Sequence, residues 1–302
     1  MACVSLVSFE VMVNGGKSKS FISSRGLRQG DPLSPYLFII GQEVLSRLLD
    51  QELRSRNICG IKASPKGPAI THVMYADDIV LFLKASPKNA HNIVNVLDKY
   101  CNWSGQCINN KKSGIIFSKH TSNQHRRAIK DILQVKELKK DLVYLSAPLF
   151  LSRAPSSDFA YLQEKLEAKL MGWRSKCLSW VERSTLITSV AQSLPTYTMS
   201  TFNVPNKVCD KLDSITRRFW WKPKEQEGKF LAWRAWDKLY FPKRVGGLGF
   251  KKAKDINNAL LVKLAWMIAS KHDSLCIQIL RARYKVKQDW LRSDPPKSAS
   301  PI

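Results

Sequence analysis

The sequence has no pair of cysteines two residues apart. Its seven cysteines (Cys3, Cys59, Cys101, Cys107, Cys177, Cys209 and Cys276) are scattered and odd in number. That excludes a disulfide framework and gives no zinc-binding spacing. A reducing intracellular compartment, nuclear or cytoplasmic, is the expectation. No apolar run approaches the roughly 20 residues that span a bilayer. The opening Met1–Val7 has no basic residue and soon meets Glu10, so no signal peptide is expected. It reads as a strand that starts inside a domain. No internal repeat is visible. Gly246-Gly247-Leu248-Gly249 lacks G-x-G-x-x-G spacing, so it reads as a turn and not a phosphate loop.

Acidic residues are also scarce. Asp and Glu number 24 against 49 Lys and Arg, a formal net charge of +25. A polyanionic partner follows, because neutralised phosphates release their counterions. Residues 1–150 hold 21 basic and 11 acidic side chains, and residues 151–302 hold 28 and 13. No basic tail therefore accounts for the charge, and broad nucleic-acid-facing surfaces are expected. The 302 residues suffice for about two domains, and 44% hydrophobic content supplies their cores.

Val7–Val13 alternates with period two, and Asn14-Gly15-Gly16 is a turn signal before a strand through Phe21-Ile22. Ser34-Pro35 reads as N-cap and first helical residue, followed by apolar residues at helical spacing to Leu49. That wide apolar face reads as core. Ser86-Pro87 repeats the signal, with a helix to about Gly105. A strand through Ile115–Phe117, a helix capped by Ser122 and a strand or hairpin at Val143–Leu149 come next. Beyond about residue 150 the periodicity is helical. A helix through Leu186 to Leu194 stops at Pro195, and Leu260–Ile268 and Ile277–Tyr284 give two more. Eight of the nine Trp lie in this half, among Lys and Arg. Such residues serve as core plugs or as stacking platforms for bases. The tail at Asp294–Ser298 reads as disordered.

Two stretches carry chemistry. Ile70–Leu83 holds two β-forming runs around Tyr75-Ala76-Asp77-Asp78, a hairpin with the acids near its turn. Asp is a common turn residue, and taken alone the pair is explained by that. Two adjacent carboxylates also invite a divalent cation, and Mg²⁺ takes carboxylate oxygens together with substrate phosphates. The loop Arg25-Gly26-Leu27-Arg28-Gln29-Gly30-Asp31-Pro32 combines glycines that let a ligand approach the backbone with cations and an amide that reach it.

The order of these motifs, continued by Asn109–Ser113 and Tyr144-Leu145-Ser146-Ala147-Pro148-Leu149, resembles the reverse transcriptase of plant LINE-type non-LTR retrotransposons. Gly246–Phe250 and Asn258-Ala259-Leu260-Leu261 resemble the segment that follows the polymerase in these elements. The resemblance implies an α+β fold: over residues 1–150, part of a right-hand polymerase palm with a small antiparallel sheet and helices. Residues 151–302 would form a helical thumb and connection region. It implies Asp77 and Asp78 as catalytic metal ligands, with Mg²⁺ or Mn²⁺ as cofactor. Arg28, Gln29 and Gly30 would position template and incoming nucleotide, Tyr75 would lie by the primer end, and Lys112 near the leaving pyrophosphate. RNA template, DNA primer and dNTP are the implied partners, with no membrane; the oligomeric state is open.

Two departures stand out. The family's Tyr-Leu-Gly primer grip reads Tyr144-Leu145-Ser146 here. Its first catalytic aspartate belongs to a strand upstream of the Arg-Gln-Gly-Asp loop and is not found. Phosphoryl transfer by two metals needs carboxylates that bridge both ions, and Glu10 and Asp31 are not placed for that. The expectation is an N-terminally truncated, inactive polymerase. Its alternative is a non-catalytic RNA- or DNA-binding protein derived from a retroelement or a maturase-like polymerase.

Overall fold

The computed structural model describes residues 8–22, 26–139, 142–145, 147–152, 154–174, 178–222 and 231–286. Arg25, Ser146 and the Asp294–Ser298 tail lie outside them. Two compact units form, Met1–Lys139 and Lys140–Ile302.

The first unit opens on a hairpin. Asn14 and Gly15 both take left-handed φ (49° and 81°), the conformation a tight hairpin turn requires. They join Met12–Val13 (β2) to Gly16–Lys17 (β3), and Ser8–Phe9 (β1) pairs with Phe21–Ile22 (β4) further out. Between the two ladders the Ser18 hydroxyl accepts the Val11 N–H at 2.9 Å.

Helix α1 spans Ser34–Arg54. Its start departs from the sequence expectation. Ser34 is not the N-cap; it lies in the first turn, and its hydroxyl donates to the Arg28 carbonyl at 2.7 Å. The Asp31 carboxylate accepts the Leu33 N–H at 2.8 Å instead. The apolar face is also only half used. Leu45 and Leu49 are buried, whereas Tyr36, Ile39 and Ile40 are 67%, 63% and 63% exposed.

Ile61–Lys62 (β5) pairs with Ala69–Ile70 (β6), and His72–Tyr75 (β7) pairs with Asp78–Leu81 (β8). Gly60 bridges Leu83 beside them, and a Cβ there would sit 2.6 Å from the Ile70 carbonyl oxygen. Helix α2, Pro87–Ser104, begins as the sequence indicates: the Ser86 side chain accepts the Asn89 N–H. It ends on Gly105 at φ 69°. Leu45, Leu49, Ile58, Ile93, Val96 and Tyr100 form the core between α1, α2 and the inner face of the β7–β8 hairpin. Gly114–Ile115 (β9), α3 (Asn123–Leu133, capped by Ser122) and Lys136–Glu137 (β10) follow. The β9–β10 pair is parallel, because a helix crosses over between the strands. Among the described residues every ladder is two-stranded, so the strands do not merge into one antiparallel sheet.

The second unit begins with Val143–Tyr144 (β11) and Ala147–Pro148 (β12), then becomes helical. Its helices are α4 (Pro155–Asp158), α5 (Ala160–Arg174), α6 (Trp180–Leu186), α7 (Thr196–Met199), α8 (Asn206–Trp221), α9 (Trp236–Leu239), α10 (Ala253–Ala269) and α11 (Leu275–Tyr284). The single helix expected up to Pro195 is broken. After α6 the backbone widens into a π-turn at Ile187–Ala191, where Ser189 bonds back to the Thr185 carbonyl. Pro195 then starts α7 instead of ending a run.

The core takes Phe159, Leu162, Leu166 and Leu170 from the start and one face of α5, and Leu212, Ile215 and Phe219 from α8. Asn257 of α10 is fully buried within it. Its Oδ1 accepts the Val204 N–H at 2.9 Å, and its Nδ2 donates to the Met199 and Phe202 carbonyls at 2.8 and 2.7 Å. One amide thus satisfies three backbone groups, one at the end of α7 and two in the loop between α7 and α8. Gly247 is fixed by packing, since a Cβ would lie 1.8 Å from the Phe241 carbonyl oxygen.

Candidate nucleic-acid interface

The β7–β8 hairpin has one packed face and one open face. In its register His72 opposes Leu81, Val73 opposes Val80, Met74 opposes Ile79 and Tyr75 opposes Asp78. Side chains alternate across a strand, so Met74 and Ile79 turn inward, and both pack on the core. Tyr75 and Asp78 share the other face, with Tyr75 62% exposed. Asp77 is in the turn, and both carboxylates are exposed. Ala76 holds that turn at φ 51°.

Ser46 of α1 and His72 fasten the hairpin. The Ser46 hydroxyl and His72 Nε2 lie 2.9 Å apart, and Thr71 Oγ1 is 2.8 Å from Nδ1. Burial lowers the His72 pKa, partly opposed by the charge of Asp50. The neutral ring offers one donor and one acceptor, which matches two hydroxyl partners.

Arg28, Gln29 and Gly30 are exposed just before α1, with Gly30 at φ 84°. Their loop is held to the helix start by the Ser34 and Asp31 bonds. Loop and hairpin therefore share α1 as a support, one at its first turn and one at Ser46. Lys112 is exposed on a separate turn, where Asn109 accepts the Lys112 and Ser113 N–H groups.

The Asp77 and Asp78 carboxylates make no hydrogen bond or ion pair among the described residues. That suits them to a hard cation. No group of three or more His, Cys, Asp or Glu positioned for a metal occurs among the described residues. The pair thus fits part of a ligand set, not the whole of one.

A family profile described as "Reverse transcriptase (RNA-dependent DNA polymerase)" matches residues 2–172. The chain belongs to the reverse transcriptase family. That match contains both the Gln29-Gly30 loop and the Asp77-Asp78 hairpin. Among relatives, an Arabidopsis thaliana protein named for ribonuclease H is 34% identical over 140 residues, 46% of this chain and 22% of that protein. An uncharacterized mitochondrial protein of the same plant is 48% identical over 67 residues, 22% of this chain and 55% of that protein. The Pol polyprotein of a Drosophila melanogaster type-2 retrotransposable element is 43% identical over 70 residues, 23% of this chain and 6% of that protein. This reverse transcriptase chain covers less than two thirds of each of them. Among its described residues, no helix is long and apolar enough to cross a membrane.

The reverse transcriptase motifs were legible in sequence; several supports were not. Ser46 and His72 gave no signal beyond their residue types. Asn257 is one of two adjacent asparagines in α10, and only Asn258 is exposed.

Proposed function

We propose that the first unit is the palm portion of a non-LTR retrotransposon reverse transcriptase, and the second its thumb and connection region. Asp77 and Asp78 contribute two carboxylates to the metal set, Tyr75 borders the primer end, and Arg28, Gln29 and Gly30 meet template and incoming nucleotide. Lys112 lies toward the leaving pyrophosphate. The open hairpin face carries this reading. It keeps Tyr75 and Asp78 together and exposed, while the opposite face is anchored in the core. A bound divalent cation supplies Lewis acidity toward the primer hydroxyl and the phosphates. The residues of this chain orient: the packed inner face fixes the hairpin, and the glycine loop lets backbone approach a nucleotide. The family's further carboxylate, on a strand upstream of the Gln29-Gly30 loop, would complete the set.

The 302-residue chain is expected to give no extension of a primed RNA template with Mg²⁺ or Mn²⁺. Fusion to the fingers and first palm strand of an active relative should restore extension, and Asp77→Ala should abolish it. Extension by the chain alone that survives Asp77→Ala would overturn the assignment. The +25 charge spread over both halves favours a second reading, non-catalytic nucleic-acid binding. In that case the fusion also fails to extend, while binding falls with rising salt.

A further inference from the structure

The second unit contains a cavity of about 500 Å³ whose lining includes Trp180, Trp220, Trp221, Trp233, Arg234 and Leu248. Its volume falls in the range of ligand pockets, roughly 300–1,000 Å³. Trp180 and Trp220 pack with ring centroids 4.9 Å apart, and Trp221 stands edge-on to both. Trp233 is different: it is 81% exposed, an indole that the fold does not consume.

Charge narrows the ligand. The Arg183 guanidinium lies 4.6 Å from the Trp180 ring centroid. Arg234 lines the cavity, with its guanidinium donating to the Gly246 carbonyl at 2.9 Å. Lys243 and Arg244 are exposed in the short turn before Gly246. A cationic ligand would be repelled, and a phosphodiester would be drawn in. A nucleobase brings a flat face for the exposed Trp233 indole. In a duplex that face is already stacked.

We propose that this cavity takes an unstacked base of single-stranded nucleic acid, with Trp233 as the stacking platform and Arg234 beside the backbone phosphate. The inference rests on the nucleic-acid reading above for its class of partner and extends it to the second unit.

The test uses the full chain and two labelled probes, a mixed-sequence single strand and the same sequence as a duplex, titrated at several salt concentrations. Trp233→Ala should weaken single-strand binding roughly 5- to 100-fold with its salt slope unchanged. Trp233→Phe should recover most of the loss, and duplex affinity should move less than about twofold. Arg234→Ala should flatten the salt slope for the single strand. Because Trp233 is exposed, an unchanged circular dichroism melt is expected for both Trp233 variants. If wild type binds while Trp233→Ala is silent, or weakens strand and duplex equally, the pocket is overturned and the polymerase reading stands. If the wild type binds neither probe, both are overturned.

Discussion

At Ala76 a side chain sits where glycine is at ease. Its φ of 51° places a Cβ in the left-handed region, at a cost of about 1–2 kcal/mol for an L-residue. Ala76→Gly removes that strain but gives the unfolded chain more freedom. We expect a net gain of up to about 1 kcal/mol in urea unfolding of the first unit. Gly60 should behave oppositely. Its Cβ would press on backbone, so Gly60→Ala should cost about 1–3 kcal/mol.

Asp213 makes the residue-scale case for pH. Burial pushes its carboxyl up to about 6 from the usual 3.8, with Asp210 and Asp255 adding to the rise. The Ala253 N–H, which donates to it at 3.1 Å, and nearby Lys252 pull the other way. The fold therefore favours the protonated form. That stability is complete below about pH 4 and is lost as pH climbs through about 6. The loss is at most about 3 kcal/mol, less after solvent screening. Asp213→Asn keeps an acceptor for Ala253 and removes the charge. Its urea midpoint should vary less between pH 4 and 7 than that of the wild type.

At the scale of elements, the sequence was most legible where a local rule decides the outcome. Asn14-Gly15 forms its turn, Ser86 and Ser122 cap their helices, and the Asp-Asp stretch is a hairpin. It was least legible where tertiary partners override. Ser34 has the look of a cap, yet its hydroxyl serves a carbonyl six residues back. The helix ahead of Pro195 looks continuous, yet threonine and serine hydroxyls compete for its carbonyls and the backbone widens. Only the three-dimensional packing shows which of two adjacent asparagines is buried. Asn257→Ala would leave three backbone groups without their partner inside the core. It should destabilise the second unit by roughly 2–5 kcal/mol, read by urea unfolding, whereas Asn258→Ala should be nearly silent.

For the whole molecule, two surface features compete. A net charge of +25 keeps copies apart, while the uncovered Tyr36, Ile39 and Ile40 stripe on α1 draws them together. Salt screens the first and not the second. Sedimentation velocity should therefore show association growing with ionic strength. Replacing Ile39 and Ile40 by lysine should suppress it without lowering the unfolding midpoint.

The division at Lys139 and Lys140 bears on heredity as much as on folding. Each unit closes a hydrophobic core of its own. If each unit folds on its own, in-frame substitutions that unfold the hairpin half would leave the helical half folded. The two halves would then be separate targets for selection. Calorimetry of the intact chain should show two transitions, with Asn257→Ala lowering only one of them.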